Sequence, residues 1–187
     1  MTAVLKRSLI VYRDWRNELQ KVIFVSMIPR KSVAKEQALQ KIRHYCGYQE
    51  RCHAEVKEKL YSYGLLKRDV EELIAKLIEE NYLNEERFAQ QFAGGKFRMN
   101  EWGRKRIEFE LRQKHVSDYC IRKGLKEISD ADYRKTLEKL ANQKWEQLKE
   151  EQNVFTKRKK VSDYLLQKGY EYSYISEVVV SLSTKDQ

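Results

Sequence analysis

One helical phrase recurs three times along this chain, and that recurrence constrains its architecture more than any single residue does. Val56-Leu60-Gly64-Leu65-Val70-Ile74-Leu77 aligns with Ile107-Leu111-His115-Val116-Ile121-Leu125-Ile128 and with Val161-Leu165-Gly169-Tyr170-Ile175-Val179-Leu182. In each copy an apolar pair supplies one face of a helix. Gly or His then stands where a left-handed C′ residue is wanted, and the later apolar residues resume the helical period. Each copy is therefore expected to be a helix, a tight turn and a second helix. Leu60, Leu111 and Leu165 mark a repeat of roughly fifty residues, the spacing of modular helical arrays.

A single proline, Pro29, and seven glycines interrupt 187 residues. That scarcity leaves little room for hairpins, so the chain reads as all-α. Around the three phrases the pattern divides into three-helix units at residues 32–83, 84–129 and 130–182. Ala38, Leu39, Ile42 and Cys46 share one face of the first helix of unit one, and Gly47 and Gly64 are expected to punctuate that unit. Asn84 is placed to N-cap the first helix of unit two, with Glu85 and Glu86 where the helix dipole favours acids and Phe88, Ala89 and Phe92 facing inward. Tyr133, Leu137, Leu140, Ala141, Trp145 and Leu148 form the stripe that opens unit three. A unit of this size buries little surface alone, so the three are expected to pack end to end into a curved, elongated rod. Residues 183–187 are expected to be a disordered tail. Residues 1–31 match no copy. Because Met27 lies just before the patterned segment, they are read as an extension from an upstream start codon, which an intact mass beginning at Met1 would contradict.

Lys and Arg number 38 against 28 Asp and Glu, a formal charge of +10, which favours a polyanionic partner or a partner already loaded with one. No stretch approaches the roughly eighteen apolar residues of a membrane helix, and Val22-Ile23-Phe24-Val25 is too short for a signal peptide, so the expected location is the cytoplasm. Three cysteines, Cys46, Cys52 and Cys120, argue against a disulfide framework. His44, Cys46, Cys52 and His53 form the one constellation that suggests a metal, but the spacing matches no common zinc site, and no metal or cofactor is expected. Phosphate loops, nucleophile elbows and clustered acidic metal ligands are absent from the sequence, so no enzymatic activity is expected.

The most distinctive wording lies in unit two: Tyr82-Leu83-Asn84-Glu85-Glu86-Arg87-Phe88-Ala89, then Trp102-Gly103-Arg104-Lys105-Arg106-Ile107, with Glu110-Leu111 a turn later. This resembles the RecX family of recombination regulators, whose motif reads approximately Y-[LI]-[DN]-[DE]-x-[RK]-[FY]-A followed by G-x-x-[RK]-[IL]-x-x-[EK]-L. The resemblance covers about residues 33–182 and includes the three-unit plan. Two departures touch turn geometry only. Asn84 and Glu85 stand where two aspartates are common, and His115 stands where Gly is usual. The resemblance implies a regulator that lodges in the groove of the RecA filament on single-stranded DNA and suppresses its ATPase, strand exchange and coprotease activities. It would act as a monomer, in DNA repair and the SOS response, without membrane association.

Two basic clusters are the candidate contacts for filament or DNA. The first is Lys96, Arg98, Trp102, Arg104, Lys105, Arg106, Arg112 and Lys114, where Gly103 would allow close approach and Trp102 and the arginines would anchor. The second is Lys157, Arg158, Lys159 and Lys160. These cations enter a helix where its dipole opposes them, so helix stability does not account for them. Consecutive residues fan around a helix, so two or three of the four can reach one partner. Glu85, Glu86 and Arg87 are read as structural, and the tyrosines near helix ends either close junctions or stack on bases. The alternative function is a sequence-tolerant DNA-binding helical protein that acts independently of RecA.

Overall fold

The computed structural model describes residues 33–185. The expectation for residues 1–31 falls outside that range. Nine helices make up the described residues: α1 (Lys35–Tyr48), α2 (His53–Ser62), α3 (Lys67–Glu79), α4 (Glu85–Asn100), α5 (Arg104–Gln113), α6 (Asp118–Leu125), α7 (Asp130–Gln147), α8 (Val154–Lys168) and α9 (Tyr172–Lys185). No strand occurs among them. Packing follows chain order, with α1 to α3 against one another, α4 and α5 on α6, and α7 to α9 together.

The repeated phrase maps onto α2–α3, α5–α6 and α8–α9. Its leading pairs, Val56 and Leu60, Ile107 and Leu111, Val161 and Leu165, are all wholly buried. At the turn, Gly64, His115 and Gly169 take φ of 80°, 57° and 91°. Val116 N–H donates to the Leu111 carbonyl at 3.1 Å and Tyr170 N–H to the Leu165 carbonyl at 3.2 Å. These are the six-to-one bonds by which a left-handed residue closes a helix. His115 adopts that conformation against its Cβ, which costs an L residue about 1–2 kcal/mol. His115→Gly is therefore expected to stabilise the protein by about 0.5–1 kcal/mol after the added unfolded-state entropy of glycine is subtracted, raising the thermal midpoint by a few degrees. An unchanged or lower midpoint would show that the imidazole makes a compensating contact.

Asn84 caps α4 by accepting the Arg87 N–H at 2.9 Å. Ser117, Ser129 and Asn153 do the same for α6, α7 and α8. Two boundaries differ from expectation. Gly47 lies inside the last turn of α1, which ends when Gln49 turns extended. Helix α9 runs to Lys185, with Ser183 buried and its hydroxyl donating to the Val180 carbonyl at 2.8 Å, so the tail expected from residue 183 falls within a helix as far as 185.

The interior divides into two cores rather than three. Ala38, Ile42, Cys46, Val56, Leu60 and Leu77 belong to the first, under α1–α3. A second core runs without interruption from Phe88 and Ala89 in α4 through Leu137 and Leu140 in α7 to Val179 and Leu182 in α9. Tyr133 is the pivot of that continuity. Its ring centroid lies 6.0 Å from Phe97, 4.9 Å from Tyr170 and 5.8 Å, edge-on, from Tyr174. Its hydroxyl accepts the Arg104 N–H at 3.1 Å and donates to the Glu171 carboxylate at 2.5 Å. Burial first, then that bond to Glu171, pushes the phenol far above its ordinary range, so it stays a donor.

Backbone closes the same joint. Gly103 N–H donates to the Lys168 carbonyl at 2.8 Å and Lys105 N–H to the Gly169 carbonyl at 3.1 Å. A Cβ on Gly103 would stand 2.2 Å from the Gly169 carbonyl carbon. The joint between α1–α3 and α4–α6 is different in kind. Arg87 reaches Glu50 at 2.5 Å and the Asn81 carbonyl at 3.0 Å, Lys114 reaches Glu55 at 2.6 Å, and Cys52 inserts into the second core. Polar side chains hold that contact, whereas main chain and aromatic rings hold the other.

Candidate functional site

The first basic cluster does not form one surface. Arg104 turns inward, donating to the Ile128 carbonyl at 2.9 Å and pairing with Asp130 at 2.6 Å, with its guanidinium 4.3 Å from the Tyr133 ring centroid. Burial is the largest single influence and works against its charge, but the Asp130 hydrogen bond together with the charges of Asp130, Tyr133 and Glu171 outweighs it, so its pKa rises. Trp102 is half-buried against the second core. Arg106 lies 4.1 Å over its ring and Lys96 5.0 Å. Arg106 also donates to the Gln167 carbonyl at 3.3 Å, which ties α5 to α8. Lys114 is held by Glu55, and that hydrogen bond is the first cause of its raised pKa. Arg112 pairs with Glu108 and Asp118 at 2.9 and 3.3 Å. Arg98 and Lys105 are exposed, Arg98 with its guanidinium folded back beside Gly94 and Lys105 with a 4.0 Å pairing to Glu108. The close approach foreseen at Gly103 is made by the chain itself, through Gly169.

The second cluster splits as helix geometry requires. Lys157 is buried with its ammonium 4.2 Å over the Trp145 ring. Lys160 pairs with Glu151 at 2.7 Å, just ahead of α8. Arg158 and Lys159 instead line a groove of about 360 Å³ between α8 and α9. Phe155, Ser162, Asp163 and Leu166 line it from α8, and Tyr172, Ser176, Val179 and Val180 from α9. Phe155 and Tyr172 are 77 % and 68 % exposed, and Leu166 and Val180 are about half exposed. Large apolar side chains flanking cations, left open on a well-packed helix pair, are the composition of a protein-binding surface.

Sequence reasoning found the cations of this groove and missed its apolar walls. The signal was present, because Phe155, Arg158 or Lys159, Ser162 and Leu166 recur every three or four residues on the face of α8 that flanks the buried Val161 and Leu165. That second stripe is short and mixed with charge, so it reads as an ordinary solvated face.

The cysteines carry no site. Cys46 lies in the first core and Cys52 in the second, and all three are free and buried. Desolvation pushes the Cys46 thiol up to about 11, which keeps it protonated and unreactive. Among the described residues no group of three His, Cys, Asp or Glu side chains is placed to hold a metal, and no helix is long and apolar enough to cross a membrane.

Comparison with known proteins agrees with this layout. Residues 84–125 match the family model for the second three-helix domain of RecX, and residues 131–179 match that for the third. The regulatory protein RecX of Clostridium perfringens strain 13 is 31 % identical over 133 residues, covering 71 % of this chain and 62 % of that protein. RecX of Prosthecochloris aestuarii is 28 % identical over 147 residues, covering 79 % and 94 %. The chain spans 62 % and 52 % of the lengths of the Clostridium perfringens and Oceanobacillus iheyensis relatives. In fold, the crystal structure of RecX from Lactobacillus salivarius superposes with a TM-score of 0.73 over 80 % of this chain and 97 % of that one, at 23 % identity. The repeat, the aromatic and glycine joint and the matched domains lead to one assignment: this chain belongs to the RecX family of regulatory proteins.

Proposed function

We propose that this protein is a regulator of RecA. In this reading it binds the RecA filament on single-stranded DNA within its groove and inhibits the recombinase, ATPase and coprotease activities, and so modulates DNA repair and the SOS response. It works in the cytoplasm as a monomer, without cofactor and without a reaction of its own. The observation that carries the reading, in a chain of this family, is the α8–α9 groove, where Arg158 and Lys159 stand between exposed Phe155 and Tyr172. Such a groove offers apolar anchors and positive charge together, and this suits a filament whose protein surface lies beside phosphates. The continuous core and the Gly103–Gly169 joint support this by holding six helices as one body, so that a long partner meets a preorganised surface. Arg98 and Lys105 lie on the same body and are proposed as secondary contacts.

The formal charge of +10 favours a second reading, direct and sequence-tolerant binding to DNA without RecA. Binding to preassembled filaments and to naked single-stranded DNA, compared at physiological salt, separates the two. Tight binding to filaments with weak binding to bare DNA is the expected result. Equal affinity for both would transfer the function to DNA itself.

A further inference from the structure

Unit one carries a second open groove, of about 540 Å³, which none of the interactions above uses. Gln40, Lys41, His44, Tyr45, Tyr48 and Tyr63 line it. Tyr45 and Tyr63 are half-buried and pack on the first core, so their positions are fixed. Cations surround the rings: Arg51 lies 4.1 Å from the Tyr45 centroid, Lys59 5.7 and 5.6 Å from those of Tyr45 and Tyr63, and Lys41 5.8 Å from that of Tyr63. Tyr48 differs from both. It is 80 % exposed at the end of α1, and among the described residues no ring or cation packs on it. Glu55, the carboxylate that acts on Tyr45, is already engaged by Lys114 at 2.6 Å.

We propose that this face is a stacking platform for unpaired nucleobases, through which unit one holds single-stranded nucleic acid directly. Two observations and the geometry of a duplex select that occupant. Excess positive charge excludes a cationic ligand and asks for an anionic one. Tyr48 presents an open ring beside these cations, and its π-face can take any base. Paired bases hide those faces within the duplex, so the platform favours single strands. Lys41 and Lys59 then meet phosphates while Tyr48, assisted by His44, stacks. The proposal extends the filament reading, in which single-stranded DNA is within reach, and places unit one on the DNA while the α8–α9 groove meets protein.

The test uses the full chain and no RecA. A fluorescein-labelled oligo(dT) is titrated at low ionic strength, and an oligo(dT) carrying 5-iododeoxyuridine is photo-crosslinked and the adducts mapped by mass spectrometry. Adducts at Tyr48 or its groove neighbours are expected. Tyr48→Ala should weaken binding on the order of tenfold, as loss of one stacking ring does, and Tyr48→Trp should restore it. Lys41→Ala should flatten the salt dependence by about 0.7 in the log–log slope. The proposal is overturned if Tyr48→Ala binds as the parent does, if the adducts lie outside this face, or if a hairpin duplex or polyglutamate competes as well as oligo(dT). Its fate is separable from that of the filament reading. A protein without effect on RecA but crosslinked at Tyr48 would lose the latter and keep the former, and inhibition of RecA without such crosslinks would do the reverse.

Discussion

Gly103→Val is expected to destabilise the protein by about 3 kcal/mol and to lower its thermal midpoint by roughly 10 °C. Any Cβ there would sit 2.2 Å from the carbonyl carbon and oxygen of Gly169 and 2.4 Å from the Tyr170 nitrogen, all main-chain atoms that cannot swing aside. Relief requires the two segments to separate. Separation would break the Gly103 N–H bond to Lys168 and the Lys105 N–H bond to Gly169, and would loosen the Tyr133 ring stack beneath. Gly169 offers no room in return, because its φ of 91° disfavours every side chain and its Cβ would meet Arg106 at 2.4 Å. Gly95 is the control. It lies inside α4, and a methyl placed there would have nothing within 4 Å, so Gly95→Ala should stabilise by about 0.5–1 kcal/mol through helix propensity. Thermal unfolding followed by far-UV circular dichroism distinguishes the pair. A Gly103→Val protein that melts with the parent would mean that the glycine joint does not form in solution.

The largest functional effect should come from the double reversal Arg158→Glu with Lys159→Glu, which is expected to weaken filament binding about a hundredfold with little change in stability. Truncating one good arginine anchor costs about 2 kcal/mol or more, and reversal adds repulsion to the loss. Lys160→Ala should cost less than about threefold, because Lys160 is committed to an exposed pair with Glu151 and such pairs contribute about 0–1 kcal/mol. Lys157→Ala should act on stability rather than affinity, since it is buried over Trp145. Sedimentation of filaments with each variant across a salt series reads the affinities, and thermal unfolding reads the stability loss in Lys157→Ala. The double variant should also show a shallower salt dependence, and binding that is unchanged at every salt concentration would remove the groove from the interface.

The scaffold was legible because its signal is apolar and periodic. Leu60, Leu111 and Leu165 repeat at one spacing, and the residue four places after each, Gly64, His115 or Gly169, takes a positive φ. Even the departure at His115 was readable as a tolerated strain. The interaction surface was harder to read, because charge says nothing about direction. Arg104 and Lys105 are neighbours in the chain, yet one is folded onto Asp130 and Tyr133 and the other faces water. Gly103 signalled close approach correctly, but an isolated glycine does not say whether the approaching atoms belong to a partner or to residues more than sixty positions on. The fusion of the later six helices over one core was equally hidden, since the Tyr133, Tyr170 and Tyr174 contacts depend on long-range placement and not on local period.

The single-stranded-DNA-dependent ATPase of cognate RecA, titrated with this protein from far below to equal stoichiometry, tests the central claim most directly. Regulation of the filament as a cooperative unit predicts inhibition at a small molar ratio, lost in the Arg158→Glu, Lys159→Glu protein. An ATPase rate that stays constant up to equal stoichiometry, with folded protein and fully assembled filament, would contradict it.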